Sequence, residues 1–465
     1  MKLHFLGAIR TTTGSKYILE VNGNRILLEC GMFQGRRMES IEKNSKFDFD
    51  PAKIDCVVLS HAHIDHCGVL PSLCLKGFTG NIYSTFATRD LCSIILEDSA
   101  KIQKADAAFV SKERAKEGLP PVDPLYGPAD AERSMRQFVT LNYYRPIPIA
   151  PGVTLTFYDA GHILGSSQIC LDIEENGKKF RYLFTGDLGR GNDEILRDPD
   201  PVENVDYLHI ESTYGDRLHE TKTKSTEEVL KYVGEALHNR ATVLIPAFSM
   251  GRTQDIVYTL HQLTLDGKLP EVPIFVDSPL SVNATEVYRL HPECFNNEIY
   301  EFLQSGTNPF GMGNLTYIRE VAQSMKLNNI NEPAIIISAS GMCEAGRIRH
   351  HLKNHIADKN TLILFIGYCA QNTLGNAILS GDKTVNIFGK PFKVKAKVAQ
   401  IDSFSGHADR DELLKYIGKL KGSLKKIFVT HGEENQSIAF GETLRTQLPE
   451  SQIVVPYQGD CEEIK

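Results

Sequence analysis

Four side chains able to ligate a metal fall within six residues at His61-Ala62-His63-Ile64-Asp65-His66, directly behind the apolar run Cys56-Val57-Val58-Leu59-Ser60. A strand that ends there releases the chain into a short loop, from which imidazole and carboxylate groups project into one volume. Neutral imidazoles with a hard carboxylate suit zinc, and the same donors serve manganese or iron. His61 and His63 alternate to one side while Asp65 and His66 begin the next turn, so the spacing serves two metals as readily as one. Histidines gathered by chance on a solvated loop are the plain alternative. Their place directly behind a buried strand argues against it.

Further ligand types follow, each on a turn after its own strand. The run from Val153 to Ala160 leads into Gly161-His162, Phe180 to Phe184 leads into Thr185-Gly186-Asp187, and Lys426 to Thr430 leads into His431-Gly432. Glycine at such a turn lets the backbone bend sharply or approach a neighbour closely. Singly each signal is weak, since Asp beside Gly is usually only a turn former. In this order they reinforce one another.

The ordered set resembles the metallo-β-lactamase superfamily, and within it the β-CASP branch of RNA-processing nucleases. That branch includes the endonuclease subunit of the pre-mRNA cleavage and polyadenylation machinery and its prokaryotic relatives. The motifs that mark it stand at Glu211 in His209-Ile210-Glu211-Ser212-Thr213-Tyr214-Gly215, at His407 in Ser403-Phe404-Ser405-Gly406-His407-Ala408-Asp409, and at His431. The resemblance spans almost the whole chain. It implies an α/β fold: a metallo-β-lactamase αββα sandwich with an inserted β-CASP domain of parallel-sheet α/β type. By resemblance, His61, His63 and His162 hold one metal, Asp65, His66 and His431 hold the second, and Asp187 bridges them. Two Zn2+ per chain are expected, with Mn2+ as a substitute. The catalytic set implied is Asp65, His407 and Glu211, with Glu211 orienting His407. One departure stands out. The family usually shows Asp in a Leu-Leu-Asp-Cys-Gly segment, and here the run is Leu27-Leu28-Glu29-Cys30-Gly31. That residue stands behind the ligands, so the longer side chain bears on local hydrogen bonding more than on metal binding.

The chain has 465 residues, 42% of them hydrophobic and 23% charged, which is ordinary for a globular protein with room for two sizeable cores. Its ten cysteines are scattered without a C-x-x-C pair, and the amino terminus lacks the apolar core of a signal peptide. A reduced, cytoplasmic setting without a membrane span is the expectation. Cys67, beside His66, reads as a buried core residue. Because the net charge is −7, nucleic acid must be met by a local basic patch. Two clusters offer one: Arg347, Arg349, His350, His351 and Lys353 on an expected helix, and Lys390, Lys393, Lys395 and Lys397 on a later strand region. Either also reads as a solvated face. His351 and His355 have zinc-like i, i+4 spacing, but no acidic partner is evident nearby, so a second metal site there is not expected.

Up to about Thr213 short strands, such as Leu3 to Leu6, Tyr17 to Val21 and Ile26 to Cys30, alternate with helical stretches such as Ala87 to Lys104. After Glu211 the pattern becomes a βα rhythm, with strands over Thr242 to Phe248, Ala334 to Ser338 and Thr361 to Gly367 and helices over Ser225 to Arg240, Gly251 to Leu265 and Glu344 to Ile356. The expected domains are 1–208 for the first part of the metallo-β-lactamase domain, 209–388 for the insert and 389–465 for the completing segment. The segment Glu117 to Pro128 reads as an exposed loop.

Within the insert, two strand ends run through small residues into a helix, at Pro246 to Arg252 and at Ile337 to Arg347. Such turns offer backbone N–H groups and hydroxyls to a phosphate, although Ser and Gly also make ordinary caps. Ser249, Arg252, Ser338, Ser340 and Gly341, with Ser405 ahead of His407, are the expected RNA contacts, in a cleft that grips the backbone on one wall and cuts it at the other.

The expected chemistry is phosphodiester hydrolysis of single-stranded RNA with a dimetal-activated hydroxide as nucleophile and His407 as general acid to the leaving oxygen. A small-molecule hydrolase would need neither the insert nor the His407 motif, and a silent scaffold would have lost ligands. A DNA-directed nuclease of the superfamily is the nearest rival; such relatives typically lack histidine at the position matching His431. A homodimer or an RNA-processing complex is the assembly considered.

Overall fold

Period-2 burial builds the first unit. Leu3 and Phe5, Tyr17, Leu19 and Val21, and Ile26 and Leu28 turn to one face of their strands and meet Leu155, Phe157, Tyr182, Phe184, Tyr207 and Phe428 from a second sheet. The computed structural model describes residues 1–464 except Arg36, Asn192, Glu220, Thr221, Asn331, Tyr368, Asp402, Ser403, Lys421 and Ser423. Ser403, which opens the His407 motif, therefore lies outside the described residues.

One seven-stranded sheet runs in the order Cys461–Glu463, Lys2–Gly7, Lys16–Val21, Asn24–Leu28, Cys56–Val58, Asn81–Thr85 and Phe138–Leu141. The other, also of seven, runs Gln452–Val454, Lys426–Thr430, Tyr207–Glu211, Lys178–Phe184, Ser167–Glu175, Val153–Asp159 and Ile147–Ala150. Helices Arg410–Lys419 and Glu434–Gln447 cover the outer face of the second sheet, burying Leu413, Ile417, Phe440 and Leu444 against Leu208, Ile210 and Val429. On the first sheet's side, helix Phe86–Lys116 buries Ala87, Leu91, Leu96 and Ala100. This is the αββα sandwich. The long helix continues past Lys104 because its second half is rich in Lys and Ala, good helix formers that need no core. It ends where the loop expected from Glu117 begins, and that loop buries Tyr126.

The second unit has one six-stranded sheet in the order Leu315–Tyr317, Ile274–Val276, Ala334–Ser338, Thr242–Pro246, Thr361–Phe365 and Lys397–Gln400, parallel at every pairing. Apart from the partly exposed Thr242, its central strands are buried along their length because helices cover both faces. Val243 and Ile245 face helices Lys222–His238 and Arg252–Leu265, while Leu244 and Ile336 face helix Ile348–His355. That last helix starts later than Glu344, since Cys343 and Gly346 hold φ of 62° and 76° and the turn must finish first. A hairpin of Thr384–Ile387 and Lys390–Lys393 completes this unit.

The units comprise Met1–Leu218 with His407–Lys465, and His219–Gly406. The changeovers fall later than 208/209 and 388/389 for a topological reason. Strand Tyr207–Glu211 is central to the second sheet of the first unit, and Lys397–Gln400 is the edge strand of the other unit. Among the described residues no helix is long and apolar enough to cross a membrane, and all ten cysteines are free.

Candidate metal centre

Parallel pairing carries the strand ends of the second sheet to one edge. Phe184 pairs with His209 and Glu211 with Thr430, so Asp187, Glu211 and His431 leave the sheet side by side. The turns there demand special backbone: Gly161 and Gly186 have φ of 62° and 55°, and His431 itself stands at 49°. A Cβ on Gly432 would lie 2.4 Å from the Ser212 hydroxyl, so the turn behind His431 closes only with glycine. From the first sheet, His61 follows strand Cys56–Val58, His63 precedes the short helix Ile64–Cys67, and that helix carries Asp65 and His66.

Among the described residues the donors form overlapping clusters. His61, His63, His162 and Asp187 bring one donor atom each within 4.8 Å of the others, as do Asp65, His66 and His431; Glu29 with His61 and His66, and Asp187 with Glu211 and His431, meet the same distance. Asp187 touches both of the first two, with Oδ2 3.5 Å from His61 Nε2, 3.6 Å from His162 Nε2 and 3.3 Å from His66 Nε2, and Oδ1 3.4 Å from His431 Nδ1. All seven residues expected as ligands are thus gathered. His407 lies against them, its Nδ1 3.1 Å from Glu211 Oε2 and 3.9 Å from Asp187 Oδ2. Glu211 is itself held, accepting from the Leu188 N–H at 2.6 Å.

The donor set fits a bound cation. Ring nitrogens face one another at 3.1 Å for His61 and His63, 3.1 Å for His162 and His63, and 3.0 Å for His66 and His431. At these distances the nitrogens are close enough either to share a proton pairwise or to converge on one cation. Asp187 Oδ1 is buried and accepts no hydrogen bond among the described residues. Burial holds His63 down to about 4 and keeps His61 well below the ordinary histidine range, so both rings remain neutral donors. Burial alone would raise Asp187, but His431, His66 and His61 outweigh it and keep the carboxyl well below its usual range. For His407 burial works downward, and the carboxylates of Glu211, Asp187 and Asp65 prevail, raising it above the ordinary value.

Partners behind the clusters orient them. Glu29 takes the position of the family's aspartate: Oε2 lies 2.7 Å from His66 Nδ1 and Oε1 accepts from the Ser60 N–H at 2.7 Å. The Ser60 hydroxyl stands 2.9 Å from His61 Nδ1 and that of Thr213 3.2 Å from His431 Nδ1. Neither was expected. Both adjoin a motif residue, and a neighbouring hydroxyl is too common to signal by itself. Cys67 is buried, its thiol 3.4 Å from the Ala62 carbonyl.

The residues expected at phosphates lie in the second unit. Pro246 pairs with Ser338, so both turns leave one edge of that sheet. Ser249 there is 3.4 Å from the Ser278 hydroxyl, and Arg252 pairs with Asp255 at 3.0 Å. Ser340 closes its own turn through Ala345, Gly341 packs against the Phe248 ring, and Ser405 is partly buried. Ser338 drops out of the set: its hydroxyl is buried and donates to the Asp277 carbonyl at 2.8 Å. The reading of His351 as lacking an acidic partner is also corrected. Its Nε2 lies 2.7 Å from Asp277 Oδ2, and Arg347 pairs with Asp277 Oδ1 at 2.7 Å. A partner this far away in sequence leaves no local signal.

Comparison with known proteins gives the same picture from outside. Residues 18–197 match the metallo-beta-lactamase superfamily domain, 253–378 the Beta-Casp domain, and 391–456 the Zn-dependent metallo-hydrolase RNA specificity domain. The chain is 34% identical to "Ribonuclease TTHA0252" of Thermus thermophilus, covering 96% of each chain. It is 34% identical to an "RNase J-like protein" of Methanocaldococcus jannaschii over 95% of each. It is 30% identical to "Transcription termination factor FttA" of the same archaeon, over 100% of this chain and 72% of the relative. A crystal structure of a protein of unknown function from Enterococcus faecalis shares the fold, with a TM-score of 0.56 at 12% identity and 99% coverage of each chain.

Proposed function

This chain belongs to the β-CASP branch of the metallo-β-lactamase superfamily, and from that premise we propose that it is a metal-dependent ribonuclease. It hydrolyses phosphodiester bonds of single-stranded RNA, in RNA processing or decay. The observation that carries the reading is the pair of donor clusters joined by Asp187 with His407 alongside. Relatives whose names are ribonuclease and RNase J-like protein support the substrate class.

We assign His61, His63 and His162 to one Zn2+, Asp65, His66 and His431 to a second, and Asp187 to both. When bound, such a centre supplies an activated water at neutral pH and neutralises oxygens around phosphorus. The protein does the rest. Asp65, whose side chain keeps 20% exposure against 2% for Asp187, orients the attacking water. Glu211 holds the Nδ1 proton of His407, which turns Nε2 outward as the nitrogen that protonates the leaving oxygen. The carboxylates of Glu211, Asp187 and Asp65 hold His407 above its ordinary value against the effect of burial, which favours the protonated ring that a general acid needs. Glu29 fixes His66 Nδ1 and so directs Nε2 at the centre. Ser249, Arg252, Ser340, Gly341 and Ser405 are assigned to the RNA backbone.

Elemental analysis together with cleavage of internally and end-labelled RNA tests the proposal. Two zinc ions per chain and cleavage of single-stranded RNA are expected. An active enzyme with one metal or fewer would sink the dinuclear assignment, and preference for DNA, a lactam or a thioester would sink the ribonuclease one.

A further inference from the structure

The two basic clusters separated in sequence meet in the second unit. Hairpin residues Val385 and Ile387 pack with Ile348 and Leu352 of helix Ile348–His355, which sets the hairpin tip beside the helix's Arg349 and His350. Phe388 at that tip has its ring 4.4 Å from the Arg349 guanidinium and 4.7 Å from the His350 ring, the latter tilted by 42°. Between Arg347 and Lys397 nine Lys and Arg residues face only Asp358 and Asp382, in a chain of net charge −7. Lys397 pairs with Glu235, and Arg347 with Asp277. Lys353, Lys383, Lys390, Lys393 and Lys395 are exposed and in no ion pair among the described residues.

Phe388 is at odds with its position. It is 43% exposed and holds φ of 52°, followed by Gly389 at 75°. A tight hairpin turn with both residues left-handed ordinarily carries Asn-Gly, and a bulky aromatic there is strained. The ring is kept in an unfavourable conformation and 43% open to water, with Arg349 on it and Lys390 two residues on, and its contacts with Arg349 and His350 are a small return for that strain. It does suit a strand that offers flat bases and phosphates together, since bases stack on aromatic rings while lysines track the backbone.

We propose that Phe388, with Arg349, His350, Lys353 and Lys390, forms an accessory single-stranded RNA contact on the second unit, in which a base stacks on the Phe388 ring and the cations hold its flanking phosphates. This rests on the ribonuclease reading and adds a recognition point that is not part of the hydrolytic machinery. Its role is to lengthen the grip on substrate without preference for base identity.

The test is Phe388→Asn, which removes the ring while supplying a residue that accepts the left-handed turn. Thermal unfolding should occur at the same temperature or higher. KM for a long labelled oligouridylate should rise about tenfold or more, the scale of one lost stacked base, with kcat and hydrolysis of bis(p-nitrophenyl) phosphate unchanged. An abasic strand should bind variant and wild type alike. Lys353→Ala with Lys390→Ala should make binding less dependent on salt. Equal KM for Phe388→Asn and wild type on the oligouridylate overturns the contact. So does an equal loss on the abasic strand or on polyglutamate, which would mark a general polyanion or protein surface. A wild type that cleaves no RNA overturns the ribonuclease reading and this one together, and is recognisable because the failure precedes any substitution.

Discussion

Each unit buries an aspartate among histidine and other polar groups, yet the two arrangements are opposites. In the second unit, Asp277 accepts from Ser324 at 2.6 Å and pairs with His351 and Arg347, while His351 turns its other nitrogen to Asn328 at 3.1 Å. Arg347 also donates to the Ile318 carbonyl at 3.3 Å and to that of Arg319. Both nitrogens of His351 and both terminal nitrogens of Arg347 have partners there. Around Asp187, donor nitrogens and lone pairs crowd together, and Asp187 Oδ1 is left without a hydrogen bond among the described residues. A closed set of partners stabilises a fold, whereas an open one of this density leaves room for a cation to complete it. The difference separates a structural histidine from a candidate ligand better than residue type or spacing does.

The sharpest way to break that contrast is Asp187→Ala. Loss of the residue shared by both clusters should drop metal content to one ion or none and lower RNA cleavage by roughly 10⁴-fold or more, the scale of a group on which the whole chemistry depends. Full metal content in this variant, read by elemental analysis, would remove Asp187 from the bridging position. Asp277→Ala should do the reverse. Leaving Arg347 and His351 buried without their carboxylate should cost about 3–5 kcal/mol of stability in a denaturant titration, with metal content unaltered. Metal lost along with stability would show that the Asp277 network is a ligand site after all.

His407→Ala should keep metal and fold while slowing cleavage roughly 10²-fold or more, as loss of a general acid does. A substrate with a better leaving group should recover part of the rate; wild-type rates on ordinary RNA would leave Glu211 and His407 a structural pair. The smallest effect is expected from Glu29→Gln. It keeps the shape but weakens the hold on His66 Nδ1, so metal affinity in a competitive chelator titration should fall about 10- to 100-fold. Unchanged affinity would mean that the backbone, and not the carboxylate, sets the ring.

The strands and the candidate ligands were legible in the sequence because both are written locally. Alternating burial is a property of two neighbouring residues, and the order of strand, ligand and glycine at His162, Asp187 and His431 occupies only a few positions. Strand Ala334–Ser338 runs over the same residues as read from the sequence, since an apolar run covered on both faces has few other places to go. That His66 meets His431 across 365 positions is not written in any spacing; the resemblance supplied it, and the sheet order accounts for it. Neither periodicity nor resemblance pointed to the pairing of Asp277 with His351, 74 positions apart, or to Phe388 beside Arg349 and His350. Sequence alone therefore determined which chemistry the chain carries, since donor types and turn residues are local choices. The tertiary structure decided which polar groups are satisfied and which stay open, because a hydrogen-bond partner can come from any strand or helix that the sheet order brings alongside.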